Sequence, residues 1–312
     1  DGVLDEAAAA RLRSRYPKPP QMASVRLAII VCSLFGALLI LLLALLALLG
    51  PPALAQRTIF VSPDVPTDDP GGSGTIFLAS CNLRCVFCQN HQISQDPEAF
   101  RDAAVSTQVL ADIFLKLQRQ RCENLNWVSP SHQVPQLVRA LLRAAESGLS
   151  IPVVYNSNGY DSVEVLRLLD GLVDIWMPDL KYAAPDAGCR LSGVDDYPPR
   201  ARAALREMYR QVGDTWQVGP EGELRRGLLV RMLVLPGSLA GVEENLAWLA
   251  RALSPRVAIS LLAQYRPAHR VPRTPDLADL NRPISRDEWR RAAAALEQHM
   301  EGDRHHVQTV WI

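Results

Sequence analysis

Ser80-Cys81-Asn82-Leu83-Arg84-Cys85-Val86-Phe87-Cys88-Gln89-Asn90 follows directly on the apolar run 75–79. Its cysteines are spaced C-x3-C-x2-C. Three thiolates on one short loop can hold three irons of a cubic [4Fe–4S] cluster, which leaves the fourth iron without a protein ligand. An iron with an open position binds and activates something, so the spacing points to chemistry more than to electron storage. A structural zinc site takes four closed ligands, commonly two C-x2-C pairs or one such pair with two histidines. Here the nearest histidine is His91, and there is no second cysteine pair. Three clustered cysteines without obvious partners argue against a disulfide framework. The polar neighbours Asn82, Arg84, Gln89 and Asn90 argue against plain buried thiols.

Outward from this loop, short apolar runs alternate with helical patterns. Strands are expected at 75–79, 125–128, 152–155, 173–177, 228–235 and 257–262. Helices are expected at 107–121, 134–147, 162–169, 200–211, 242–253 and 286–297. Six strand-then-helix units predict an α/β chain with a parallel sheet and crossover helices, short of the eight units of a closed barrel. Ligands of such sheets bind at the carboxyl ends of the strands, and polar residues gather there. After the cysteine loop come Ser129-Pro130-Ser131-His132, Asn156-Ser157-Asn158-Gly159 and Asp179-Leu180-Lys181. Arg231 sits on the fifth strand, and Gln264-Tyr265-Arg266-Pro267-Ala268-His269 follows the sixth.

Composition bounds the rest. Thirty-three basic and 33 acidic residues cancel, which gives no argument for a nucleic-acid surface. The cysteines outside the loop, Cys32, Cys122 and Cys189, are scattered, as in a reducing compartment rather than a cross-linked secreted protein. The N-terminus reads differently. Residues 27–49 carry no charge and are mostly Leu, Ala and Ile. As a helix they would extend roughly 34 Å at about 1.5 Å per residue, enough to cross a bilayer core. Ala53-Leu54-Ala55 resembles a signal-peptidase site, but the apolar run exceeds the roughly 7–15 residues of a signal h-region, which favours an uncleaved single-pass anchor. Arg11, Arg13, Arg15, Lys18 and Arg26 before it would place the remainder outside the cytoplasm. An oxygen-sensitive cluster needs a reducing, cytoplasm-like compartment, so the leader and the loop conflict. The expected organisation is a polar segment 1–26, a transmembrane or signal-like segment 27–49, a linker 50–70, a core domain 71–300 and a tail 301–312.

The cysteine spacing, with aromatic Phe87 before the last cysteine, resembles the radical S-adenosylmethionine (SAM) superfamily. Further segments are similar to homologues of pyruvate formate-lyase activating enzyme. These are Gly72-Ser73-Gly74-Thr75-Ile76-Phe77, Cys88-Gln89-Asn90, Pro152-Val153-Val154-Tyr155-Asn156, Met177-Pro178-Asp179-Leu180-Lys181-Tyr182, Leu233-Val234-Leu235-Pro236-Gly237 and Ala263-Gln264-Tyr265-Arg266-Pro267. The resemblance covers roughly residues 71–300. It implies a partial (β/α)6, TIM-like radical SAM barrel, a [4Fe–4S] cluster and SAM as cofactors, and an external electron donor of flavodoxin or ferredoxin type. In that superfamily SAM is reductively cleaved to a 5′-deoxyadenosyl radical that abstracts hydrogen, in activating enzymes from a backbone glycine of a protein substrate.

By the same resemblance, Cys81, Cys85 and Cys88 are the cluster ligands and Phe87 flanks the adenine. Asn158 and Gly159 lie near SAM, and Asp179, Lys181 and Arg231 contact its methionyl part. The chemistry is consistent, since Lys181 and Arg231 can pair with a carboxylate and Asp179 can balance an ammonium. Three departures stand out. The Gly-Gly-Glu segment of activating enzymes is replaced by Ser129-Pro130-Ser131-His132, so serine hydroxyls or backbone carbonyls would have to accept the ammonium. Gln264 stands where a histidine is usual, with His269 a few residues on. The extra N-terminal cysteines of the related family are absent. The rival readings are a radical SAM enzyme acting on a small molecule and a non-catalytic or degenerate membrane-tethered iron–sulfur protein.

Overall fold

The computed structural model describes residues 59–61, 72–96, 100, 104–220, 222–301 and 306–308. The expected polar segment 1–26 and transmembrane segment 27–49 lie outside the described residues. Among the described residues no helix is long and apolar enough to cross a membrane.

Six parallel strands form the centre. They are β2 (Ser73–Leu78), β3 (Asn124–Val128), β4 (Val153–Asn156), β5 (Ile175–Trp176), β7 (Leu224–Leu233) and β8 (Ala258–Leu262), hydrogen-bonded in that order. Three further strands complete the sheet. β1 (Ile59–Val61) runs antiparallel beside β2, in the expected linker. β9 (His306–Gln308) pairs parallel with β8, in the expected tail. β6 (Gln217–Val218) pairs antiparallel with β7. Among the described residues no pairing joins the ends β1 and β9, so the sheet they form is an open, partial barrel.

Helices α1 (His91–Ser94), α2 (Thr107–Arg119), α3 (Val134–Glu146), α4 (Val163–Leu168), α5 (Pro185–Ser192), α6 (Tyr197–Val212), α7 (Val242–Ala252) and α8 (Arg286–His299) lie in the connections. Every residue of β4 and β8 is buried, as expected for parallel strands covered on both faces. Trp127, Trp176, Tyr155 and Phe114 are among the largest fully buried side chains. Full burial of a side chain such as Phe114 stabilises the fold by about 1.5–3 kcal/mol through removal of apolar surface from water.

The helix ends follow local chemistry. Ser106 and Ser162 accept a main-chain N–H at the starts of α2 and α4, and Ser285 forms a capping box with Glu288 at α8. Helix α6 begins at Tyr197, three residues before the expected Arg200. Pro198 and Pro199 occupy its first turn, where no N–H is needed, and so do not break it. The fourth expected strand, 173–177, shrinks to Ile175–Trp176: Val173 N–H is still bonded to Leu169 O in the preceding turn, and beyond Met177 Pro178 cannot donate to the ladder. Pairing resumes beyond the proline, where Arg231 donates to Pro178 O and Leu180 donates to Arg231 O, setting Asp179 beside Arg231.

Candidate active site at the carboxyl ends of the strands

The cysteine loop leaves the end of β2 and is pinned by main-chain bonds on several sides. Ser80 N–H donates to Ile93 O, Arg84 to Ser192 O, Val86 to Leu191 O, and Arg270 to Val86 O. Gln95 Nε2 donates to Cys85 O at 2.9 Å and Gln89 Nε2 to Gln264 O at 3.2 Å. Cys85 is buried, while Cys81 and Cys88 are half-buried. Burial pushes the Cys85 thiol up to about 11 against the opposing pull of Lys181 and Ser192, and the neighbouring Cys81 and Cys88 push it further. Holding Cys85 as a thiolate would therefore need compensating positive charge, which the irons of a bound cluster would supply. Among the described residues no group of three ligands converges as a single metal ion requires. A cubane asks for a wider arrangement, with one cysteine on each of three irons. The loop fits that group.

Asp179, Lys181 and Arg231 meet one strand-end away. Lys181 Nζ donates to Asp179 Oδ2 at 2.6 Å, and Arg231 reaches Oδ1 at 2.7 Å from Nη2 and 2.9 Å from Nε. The three side chains are only 20, 18 and 27% exposed. Burial opposes the charge on Asp179, yet Arg231 and Lys181 together hold its carboxyl below the usual range. Burial likewise opposes the charge on Lys181, and Asp179 more than compensates. One carboxylate against two cations leaves a surplus of one positive charge, suited to a ligand carboxylate.

Asn158 and Gly159 also lie at this edge. Asn158 Nδ2 donates to Asn82 Oδ1 at 2.6 Å and lies 3.3 Å from Cys81 Sγ, while its Oδ1 accepts Tyr160 N–H. Gly159 adopts φ +79°, and a Cβ there would meet Asp179 O at 2.3 Å. Only glycine permits the β4 and β5 loops to approach so closely. Phe87 is buried, with its ring edge-on to Tyr265 at 6.0 Å between centroids.

Several residues passed over in the sequence complete the site. The Tyr197 hydroxyl, fully buried on α6, lies 2.8 Å from Asn158 O and 2.9 Å from Asp179 O, and accepts Lys181 N–H. It clamps the loops after β4 and β5 together. Asp161 is buried and accepts hydroxyls from Ser131 (2.5 Å), Ser157 (2.6 Å) and Tyr155 (3.0 Å). Burial raises its pKa and the three hydroxyls oppose that rise. The Ser131 proton is committed to Asp161, so its lone pairs are what Ser131 offers an ammonium group. His132 donates from Nε2 to Ala79 O at 2.7 Å, and His269 stacks on His91 at 4.6 Å.

The family model of the radical SAM superfamily matches residues 75–213. A radical SAM superfamily domain therefore occupies that span, with the cysteine loop, Asn158, Asp179, Lys181 and Tyr197 inside it. Among curated proteins, the chain is similar to an uncharacterized protein of Methanocaldococcus jannaschii, with 29% identity over 234 residues. The match covers 73% of this chain and 62% of that protein, so the chain spans about three fifths of its relative's length.

Proposed function

We propose that the chain is a radical SAM iron–sulfur enzyme of the activating-enzyme-like type. In this reading Cys81, Cys85 and Cys88 would hold a [4Fe–4S] cluster, beside which SAM would bind. The observation that carries it is the cysteine loop standing beside a half-buried charge cluster with one positive charge in surplus. When bound, the cluster supplies the electron that cleaves the SAM sulfonium to methionine and a hydrogen-abstracting 5′-deoxyadenosyl radical. The chain's own groups bind and orient. Lys181 and Arg231 take the carboxylate, and Asp179 holds both cations in place. Ser131, its proton fixed by Asp161, accepts from the ammonium. Phe87, braced by Tyr265, borders the adenine, and Asn158 closes the cluster side through Cys81. Tyr197 and Gly159 keep the two loops in register.

The hydrogen donor, by resemblance to activating enzymes, is a backbone glycine of a partner protein. The electron comes from a flavodoxin- or ferredoxin-type donor in a reducing compartment. The test is anaerobic reconstitution with iron and sulfide, followed by dithionite and SAM. The expected product is 5′-deoxyadenosine, and the reduced-cluster paramagnetic resonance spectrum should change on adding SAM. A reconstituted cluster that yields no 5′-deoxyadenosine and an unchanged spectrum would defeat the proposal.

A further inference from the structure

Each of the three cysteine sulfurs has a side-chain N–H or hydroxyl beside it, and Cys81 Sγ also meets Leu83 N–H at 3.5 Å and Asn82 Oδ1 at 3.9 Å. Asn158 Nδ2 stands 3.3 Å from Cys81 Sγ, Ser192 Oγ 3.0 Å from Cys85 Sγ, and Ser94 Oγ 3.2 Å from Cys88 Sγ. These partners lie 77, 107 and 6 positions along the chain from their cysteines. The fold brings two of them from distant elements, the β4 loop and the last turn of α5. Local loop geometry therefore does not account for the pattern.

The Cys85 partner is the most developed. Ser192 is 1% exposed, and behind it the fully buried Tyr182 places its hydroxyl 2.6 Å from Ser192 Oγ. Either hydroxyl could donate while Cys85 is a free thiol. A metal-bound thiolate has no proton and can only accept. The single Ser192 proton then goes to sulfur, and the Ser192 oxygen accepts from Tyr182. The result is a relay from Tyr182 through Ser192 to Cys85 in which each bond polarises the next. The Asn158 amide is also fixed in orientation, because its Oδ1 accepts Tyr160 N–H at 2.9 Å. A flipped amide would set two donors against each other, so the NH2 group faces Cys81.

We infer that these donors form a shell that sets the reduction potential of the cluster, with the Tyr182–Ser192 relay on Cys85 as its strongest member. Hydrogen bonds to ligating sulfurs are one of the levers on iron–sulfur potentials. They withdraw negative charge from sulfur and so favour the reduced cluster, whose charge is more negative. The inference rests on the reading of the loop as a cluster site and deepens it.

The test is a redox titration of the reconstituted holoprotein followed by paramagnetic resonance, with iron counted per chain. Ser192→Ala is expected to lower the ratio of reduced to oxidised cluster about tenfold at a fixed solution potential, a shift of ~59 mV for one electron. Ser192→Thr, which keeps a hydroxyl, restores the ratio. Tyr182→Phe shifts it in the same direction as Ser192→Ala, by less, and Ser94→Ala by less again. Tyr182→Phe removes one oxygen and leaves the ring packing, so it decides the matter should Ser192→Ala fail to assemble. Assembled Ser192→Ala or Tyr182→Phe clusters with the parent potential overturn the inference and leave the proposed function standing. Failure of the parent chain to assemble any cluster overturns both.

Discussion

The half-buried Asp179 and the buried Glu288 each hold an arginine, and they do different work. Glu288, at the start of α8, accepts Arg282 Nη2 (2.7 Å) and Nη1 (2.9 Å), Gly237 N–H (2.7 Å) and Ser285 N–H (2.7 Å). One carboxylate meets one guanidinium, and main-chain donors fill the remaining lone pairs. That pair ties the turn after β7 to α8 and leaves nothing over. Asp179 meets two cations and no main-chain donor to its carboxylate oxygens among the bonds described. Its neighbourhood carries unmatched positive charge beside three thiols. A closed pair holds structure together, whereas a pair with charge left over is prepared for a ligand. The same residue types therefore separate into framework and site by stoichiometry rather than by distance.

The largest way to break the comparison is to remove the thiols that give the surplus charge its context. Cys85→Ala leaves two loop ligands, so reconstitution should yield no four-iron cluster. Iron and sulfide counts together with the visible absorption of the reconstituted protein check this. A stable cubane in the variant would show that Cys85 is not a ligand. The next largest effect is expected at Gly159. Alanine there forces a left-handed conformation, at about 1–3 kcal/mol, and drives a methyl into Asp179 O, at about 1–3 kcal/mol more. Denaturant titration should register a loss on the order of 3 kcal/mol. An unchanged midpoint would mean that the two loops are not held as closely as described.

Lys181→Ala sharpens the comparison most directly, because it cancels the surplus and leaves Asp179 paired one-to-one with Arg231, as Glu288 is with Arg282. A charge-assisted bond contributes about 1.5–3 kcal/mol, so SAM affinity should fall roughly 10- to 150-fold while the iron content holds at the parent level. Equilibrium binding to the oxidised holoprotein measures it. Equal affinity in parent and variant would detach the charge cluster from SAM.

The sheet was legible because its strands are short, mostly apolar runs and its helices have one apolar face. Six parallel strands occur in the expected stretches, and Cys81, Asn158, Asp179, Lys181 and Arg231, all named from the sequence, lie at their carboxyl edge. What escaped reading did so for physical reasons. Helix α5 contains Pro185, Asp186, Gly188 and Ser192, poor helix formers held by tertiary contacts, and it delivers Ser192 to Cys85. Tyr197 and Asp161 act through partners far along the chain, and no spacing announces a hydroxyl that bridges two loops. Tyr182 ends the Met177–Tyr182 segment, ten positions before Ser192. Only the fold reveals that it stands behind Ser192.

The smallest expected effect tests the closed half of the comparison. Arg282, followed by the Ser285 and Gly237 amides, holds the Glu288 carboxyl well below its ordinary value despite burial. In the unfolded chain that carboxyl titrates near the ordinary glutamate value of 4.5. Between the two values the unfolded state binds the extra proton, so stability rises with pH through this window. The contribution of Glu288 is thus complete above the unfolded value and is lost as pH falls towards the folded one. Glu288→Gln keeps the shape and removes the charge, at a cost of about 1–2 kcal/mol at neutral pH. It should also flatten the acid limb of the stability curve below about pH 4.5 relative to the parent chain. Urea titrations of both proteins from neutral pH down to the acid limb measure this. Because the Glu288 pair serves the framework alone, SAM affinity at neutral pH should not change. A drop in affinity with Glu288→Gln would show that the two carboxylates are coupled, and that charge left over at Asp179 is not what distinguishes them.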